Sequence, residues 1–431
     1  MVDVWLPYGK SQVCVRIPTR NFLGCIEPKD KQGVSDLKTE IERALKEPLG
    51  SKKLNDIIKP ESRVAIAVDY TPTNACSYQI VPILLDYFSS CGVKNENITV
   101  ILASGLHGPV KPEEAVRLLG EKVCNRVKTV SHDCKAQDLV NVGTTKMHGT
   151  KVLLNHLFVD ADARILIGEI GLHPFAGYTG GRQTVLPGIS GEETIKQNHS
   201  LLLDSNAKPG VLLENPVAQD MCEAATLAKI DFALDFVTNS KKELVKAFAG
   251  DLDKVFNEGV KLVDEMCKTE VDKRADIVIV SPGGDPFDTN LFQAYEGIDN
   301  SLEVVKRGGA IILVAELAQG HGNQEFYEWV IKLPDLKAAE REIKRNFENG
   351  GSTAYNHMKA LQKVRIILVS SMPDYYGASV FRLRTARAVN DALNEALNMV
   401  GKTAKIWAIP SGSFTLSEVK ASDDQIVANT G

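Results

Sequence analysis

Short apolar runs rich in Val, Ile and Leu recur along this chain, each followed by a stretch of helical pattern. This alternation narrows the possible folds more than any other feature. The first four runs are RVAIAVDY (63–70), NITVILASG (97–105), ARILIGEIG (163–171) and IDFALDFVTN (230–239). Four more follow, ADIVIVSPGG (275–284), GGAIILVAEL (308–317), VRIILVSS (364–371) and TAKIWAIPSG (403–412). Several are apolar almost throughout, which suits parallel strands covered on both faces. Parallel neighbours need crossover helices, so the rhythm predicts βαβ units. At 431 residues the chain exceeds one ordinary core. The expected fold class is therefore α/β with two domains, each a mostly parallel sheet flanked by helices. The charged, helically spaced stretch 250–275 reads as the end of the first domain and the connector to the second, giving domains 1–272 and 273–431.

Composition excludes several function classes. Fifty Lys and Arg face 55 Asp and Glu, a net charge of −5, so neither nucleic acid nor an anionic membrane is an expected partner. No apolar run reaches the roughly 18 residues of a membrane span. The opening MVDVWLPYGKSQVCVRIP alternates like a strand pair and lacks the charged-then-apolar order of a signal peptide, so a cytoplasmic location is expected. Eight cysteines are scattered without a CxxC pair, which indicates neither a zinc ribbon nor a disulfide framework.

Ligands of open parallel sheets sit beyond the carboxyl ends of the strands. VILASGLHG places His107 there, ILIGEIGLHP places His173, and AIAVDYTP places Asp69. A lone histidine in such a position is commonly a loop residue; two in matching positions point to a site. A third follows on a helix. Ser190 and Glu193 form a capping-box pattern that predicts a helix from about Gly191. Ile195, His199 and Leu202 then share one face, which turns His199 inward, either as a core histidine or as a metal ligand. Between them, GYTGGRQTVLPG supplies Thr179, Gly180, Gly181 and Arg182. A glycine pair is often only a turn; beside an arginine and a helix start it suggests a phosphate site. Two imidazoles titrating near neutrality suit a reaction that handles a proton on either of two faces.

SGLHG, GLHPFAGYTGGR, LPGISGEETI and the following NH together resemble the LarA family, the nickel-dependent lactate racemase and its homologues. The resemblance runs through nearly the whole chain, and 171–200 is its most distinctive part. It implies a two-domain protein whose interdomain cleft holds substrate and a nickel-pincer nucleotide, a pyridinium-3,5-bisthiocarboxylic acid mononucleotide. It implies that His199 completes the nickel coordination, that His107 and His173 are the acid/base pair, and that Asp69, Thr179, Gly180, Gly181, Arg182 and position 183 contact the cofactor. The implied reaction is removal of hydride from the α-carbon of a 2-hydroxy acid and its return to the other face of a planar keto intermediate. The implied partners are the small hydroxy acid and the proteins that build the cofactor.

Three departures stand out. The family tethers its cofactor through a lysine directly after GGR, and this chain has Gln183 there. A carboxamide is a poor nucleophile, so a noncovalent cofactor is expected, and Lys196 lies off the His199 face. Where the family's D-x-T-R-P pattern has arginine, DYTPTN offers Pro72 or Thr73. LFQAYEGID keeps Gln293 but has Phe292 for tyrosine and Glu296 for lysine. With fewer cations for a desolvated carboxylate, lactate is not the expected substrate, and a larger polyhydroxylated acid meeting Gln293 and Glu296 is. His321, after AELAQG, reads as a loop residue. SPGGDPFDTN reads as a turn and helix cap. Two function classes result: an isomerase of 2-hydroxy acids, and a binding protein that kept the histidines but lost covalent chemistry. A zinc hydrolase would need a ligand spacing such as HExxH, which the chain lacks.

Overall fold

The computed structural model describes residues 1–70 and 76–420. Its contacts divide the chain into one unit of Asp30–Glu265 and another of Met1–Lys29 with Met266 onward. The crossing near 265 lies close to the expected boundary at 272. The first 29 residues differ from the expectation of domain 1–272, because they belong to the C-terminal unit.

The reason is apolar burial. β1 (Val2–Tyr8) and β2 (Ser11–Ile17) form the expected antiparallel pair. Val4, Leu6, Val15 and Ile17 share one core cluster with Ile277, Ile312 and Ile367 of the C-terminal unit. β3 (Phe22–Cys25) then adds itself to the edge of that unit's sheet.

The Asp30–Glu265 unit is built on a six-stranded sheet. Its strands are β4 (Val64–Asp69), β5 (Ile98–Ala103), β6 (Lys128–Ser131), β7 (Ala163–Glu169), β8 (Phe232–Thr238) and β9 (Leu244–Gly250). Their order is β9-β8-β7-β4-β5-β6, parallel except for the β8–β9 hairpin. Ile66, Val100, Ile165 and Leu234 are fully buried in its core, as strands covered on both faces require. Its helices include α1 (Cys76–Ser90), α2 (Glu192–His199), α3 (Pro216–Ala228) and α4 (Leu252–Cys267).

The C-terminal unit carries β10 (Ala275–Val280), β11 (Val305–Val314), β12 (Arg365–Val369), β13 (Arg384–Ala386) and β14 (Ile406–Ile409). The order β13-β12-β11-β10-β14-β3 is parallel throughout. Helices α5 (Leu291–Asp299) and α6 (Asn349–Lys363) belong to this unit. All eight predicted parallel strands are present, seven trimmed within their runs and the one expected at 308–317 shifted to Val305–Val314. Among the described residues no helix is long and apolar enough to cross a membrane.

Candidate active site

The three histidines all belong to the Asp30–Glu265 unit. His107 ends a short turn, Gly105–His107, just after β5. Its side chain is exposed and its ring meets Tyr70 edge-on at 6.1 Å. The turn packs against α2, the helix of His199, and against Pro187.

His173 lies in a short antiparallel pair, Leu172–His173 with Gly177–Tyr178. Its ring stands edge-on to Phe175 at 4.5 Å, and Phe175 stands edge-on to His199 at 5.2 Å. One phenyl ring therefore carries both imidazoles. The Nδ1 of His173 accepts from the N–H of Ala176 at 3.0 Å and of Phe175 at 3.4 Å. A nitrogen that accepts carries no proton, so neutral His173 presents Nε2–H. Burial pulls His173 down to about 4. His199, 4% exposed, is pulled down to about 3 by burial first and by His173 second. Both rings are neutral at physiological pH.

The helix before His199 starts at Glu192 with Gly191 as N-cap, close to the expected place but by a different device. Ser190 does not cap it: its hydroxyl donates to the Val185 carbonyl at 2.8 Å. As expected, Ile195, His199 and Leu202 face the interior. Lys196 pairs with Glu192 at 3.0 Å.

The glycine loop is fastened to its own sheet. Thr179 Oγ1 donates to the Glu169 carbonyl at 2.8 Å. Gly180 has φ +83°, and a Cβ there would stand 2.8 Å from that same carbonyl oxygen. At Gly181, φ +50°, a Cβ would meet Phe256 at 2.9 Å and Asp235 Oδ2 at 3.0 Å. Only glycine allows both the left-handed backbone and the close approach. Arg182 is engaged by α4, bonded to Asp253 at 2.9 Å and lying over the Phe256 ring at 4.8 Å. The glycine pair and arginine thus have local structural partners, where the sequence suggested a phosphate grip. Gln183 is buried against a cavity of about 10 Å³, lined by Ala176, Tyr178, Met221 and Phe256. Among the described residues its Nε2 has no hydrogen-bond partner.

Sequence reading found one acid here and missed two. The register sets Val68 opposite Ile167 and Asp235 opposite Gly168, so Asp69, the last residue of β4, and Asp235, in the middle of β8, flank Gly168 near the end of β7. Burial raises Asp69 to about 7, with Glu169 adding repulsion. Asp235 is pushed well above the carboxylate range by burial and then by Asp69, while the N–H groups of Gly168 and Gly181 pull it back. Glu169 is held by Lys242 at 3.1 Å and by the Thr238 hydroxyl. The apolar setting of IDFALDF hid Asp235, although an acid inside a buried strand run is itself a signal.

In the C-terminal unit, Asn290 caps α5 and grips Gln293 twice. Its Oδ1 accepts the Gln293 N–H and its Nδ2 donates to Gln293 Oε1, both at 3.0 Å. The cap expected from SPGGDPFDTN is thus Asn290. Glu296 is exposed on the same helix. His321 stacks on Tyr327 at 4.7 Å and sends its Nδ1–H to the Asn323 carbonyl at 3.1 Å. Pro72 and Thr73 lie outside the described residues.

Among the described residues no group of three His, Cys, Asp or Glu side chains is placed to hold a metal. His199 offers one imidazole, enclosed and neutral, whose Nδ1 lies 2.9 Å from Asn198 Oδ1. That environment fits a metal bringing most of its ligands on a cofactor, with one protein nitrogen added.

Models of the lactate racemase N-terminal and C-terminal domains match residues 8–210 and 270–416. The chain is 30% identical to lactate racemase of Thermoanaerobacterium thermosaccharolyticum over 420 residues, 96% of this chain and 98% of the relative. It is 30% identical to lactate racemase of Lactiplantibacillus plantarum over 421 residues, 96% of this chain and 99% of the relative. The lactate racemase apoprotein structure from the former organism superposes with a TM-score of 0.88, at 30% identity, covering 97% of this chain and all of that one. A Thermotoga maritima protein at 19% identity, with a TM-score of 0.66 over 91% of this chain and all of that one, shares the fold. With both domain models matched in order and these relatives aligned nearly end to end, the chain belongs to the lactate racemase family.

Proposed function

We propose that this protein is a racemase or epimerase of a 2-hydroxy acid. The observation that carries this reading is the histidine cluster: His173 and His199 share the Phe175 ring, and the turn of His107 packs on the helix of His199. In the proposed reading His199 supplies a nitrogen to the nickel of a nickel-pincer nucleotide. When bound, that group would supply the hydride-accepting and hydride-returning chemistry at the α-carbon. His107 and His173 handle the hydroxyl proton on opposite faces of the planar keto intermediate. In the conformation described, His173 can only donate at Nε2, which suits it to hold the keto oxygen. Accepting a proton there requires the 173–178 turn to release Nδ1.

The cofactor is bound without a covalent tether, because Gln183 has no nucleophilic amine. Thr179, Gly180, Gly181 and Arg182 shape the segment that carries position 183, and Asp69 borders it. Gln293, oriented by Asn290, and Glu296 receive the substrate. A carboxylate at 296 repels a small bare hydroxy acid, so a polyhydroxylated acid is favoured over lactate. The test is incubation of cofactor-loaded protein with single enantiomers of a series of 2-hydroxy acids, followed by chiral chromatography. Appearance of the opposite stereoisomer supports the reading. Retained configuration throughout, with the nucleotide bound, supports the second reading, a homologue that binds the nucleotide without turnover, which Gln183 favours.

A further inference from the structure

A chain of hydrogen bonds leads from a buried carboxylate to His199. Asp220, on α3, is wholly buried and accepts from Thr145 Oγ1 at 2.6 Å, Thr150 Oγ1 at 2.8 Å and Asn198 Nδ2 at 2.9 Å. Thr145 Oγ1 itself accepts the Thr150 N–H at 2.9 Å, so its hydroxyl proton is committed to Asp220. Asn198 Nδ2 also donates to the Val217 carbonyl at 3.2 Å.

These partners fix the orientation of the Asn198 amide. A carboxylate and a carbonyl only accept, so the amide nitrogen must face them and its oxygen must face away. That oxygen lies 2.9 Å from His199 Nδ1. An amide oxygen also only accepts, so Nδ1 carries the ring proton and Nε2 keeps its lone pair. Buried His132 and His357 are the opposite case. Their Nε2 atoms lie 2.9 Å from the Ser190 carbonyl and 2.8 Å from the Phe381 carbonyl, and must hold the proton.

We propose that Asn198 and Asp220 are positioning residues that lock His199 in its Nδ1–H tautomer and so present Nε2 as the metal-binding atom. An imidazole that binds metal through one nitrogen needs an acceptor for the other N–H, which sets both tautomer and ring orientation. Asn198 is that acceptor. Asp220 keeps Asn198 from turning over. Only the purpose of the lock rests on the proposed nickel role of His199; the tautomer stands on the hydrogen bonds.

The test is nitrogen-15 NMR of histidine-labelled protein without cofactor at neutral pH. For His199 a pyrrole-type Nδ1 and a pyridine-type Nε2 are expected, with the reverse for His132 and His357. In Asn198→Ala and Asp220→Asn the His199 tautomer ratio should move about tenfold toward Nε2–H, the equivalent of one hydrogen bond of about 1.4 kcal/mol. Affinity for the nickel-loaded nucleotide should fall about 10- to 100-fold in Asn198→Ala. A wild-type His199 protonated on Nε2 overturns the proposal without any variant having to fold. An unchanged ratio in folded variants, judged by circular dichroism, overturns it as well. An Nδ1–H tautomer in protein that takes up no nickel-loaded nucleotide overturns the metal purpose and leaves the lock standing.

Discussion

Asn215 holds the loop under the two buried histidines, and its removal should be costly. It is fully buried and uses its whole hydrogen-bonding capacity. Oδ1 caps α3 by accepting from Val217 N at 3.0 Å and Ala218 N at 3.3 Å. Nδ2 donates to the Phe175 carbonyl at 2.8 Å and the Val211 carbonyl at 3.1 Å. In Asn215→Ala the lost cap costs about 0.5–2 kcal/mol. The stranded carbonyls add about 1–3 kcal/mol, for a total of about 1.5–5 kcal/mol. At about 2–4 °C per kcal/mol for a unit of this size, melting should fall by about 3–20 °C. Asn215→Ser keeps a capping oxygen and should recover the cap part only. Asn215→Asp aims a carboxylate at two carbonyl oxygens and should be no better than Asn215→Ala. Calorimetry or a dye-based melt reads all three. A fall below about 2 °C for Asn215→Ala, or full recovery by Asn215→Asp, would show that the carbonyl bonds contribute nothing.

Other outcomes follow from the same geometry. His107→Asn and His173→Asn should abolish racemisation with the nucleotide still bound, whereas His199→Ala should lose nickel; elemental analysis beside chiral chromatography separates the two effects, and full nickel retention in His199→Ala would remove the metal role. Gln183→Lys restores a nucleophilic amine, so a fraction of protein made with the cofactor-building enzymes should keep the adduct through denaturation, unlike the wild type. Asp69 titrates at about 7 in the folded chain and near 3.8 when unfolded, so between these values the folded state holds a proton that the unfolded state has released. Wild-type stability then falls as pH rises from about 4 to 7 and levels above. Asp69→Asn lacks that slope and should gain on the wild type across the same window, and a gain that shrinks with rising pH would contradict the burial assigned to this carboxyl.

The strands were legible because parallel strands buried on both faces leave apolar runs that little else imitates. What the runs did not carry was sheet membership. β1 to β3 pair locally or at an edge, and only the burial of Val4, Leu6, Val15 and Ile17 against the second sheet assigns them to the C-terminal unit. The helix of His199 was found near its true start for a partly mistaken reason: Ser190 spends its hydroxyl on Val185, and Gly191 occupies the cap. The glycine pair and Arg182 suggest an anion site by residue type, but their partners in the fold could not be read from the sequence. Asp253, Phe256 and Asp235, distant in sequence, are what they meet in the fold. Asp220 was invisible for a similar reason, since its meaning lies in Thr145, Thr150 and Asn198 converging from other segments.

The most direct measurement is native and denaturing mass spectrometry, with elemental analysis, on protein produced alongside the enzymes that build the nickel-pincer nucleotide. A nickel-containing adduct present in the native spectrum and lost on denaturation is the expected result, matching His199 as ligand and Gln183 in place of a tether. A native spectrum with neither nickel nor nucleotide mass would contradict the proposed chemistry, and an adduct that survives denaturation would contradict the noncovalent binding.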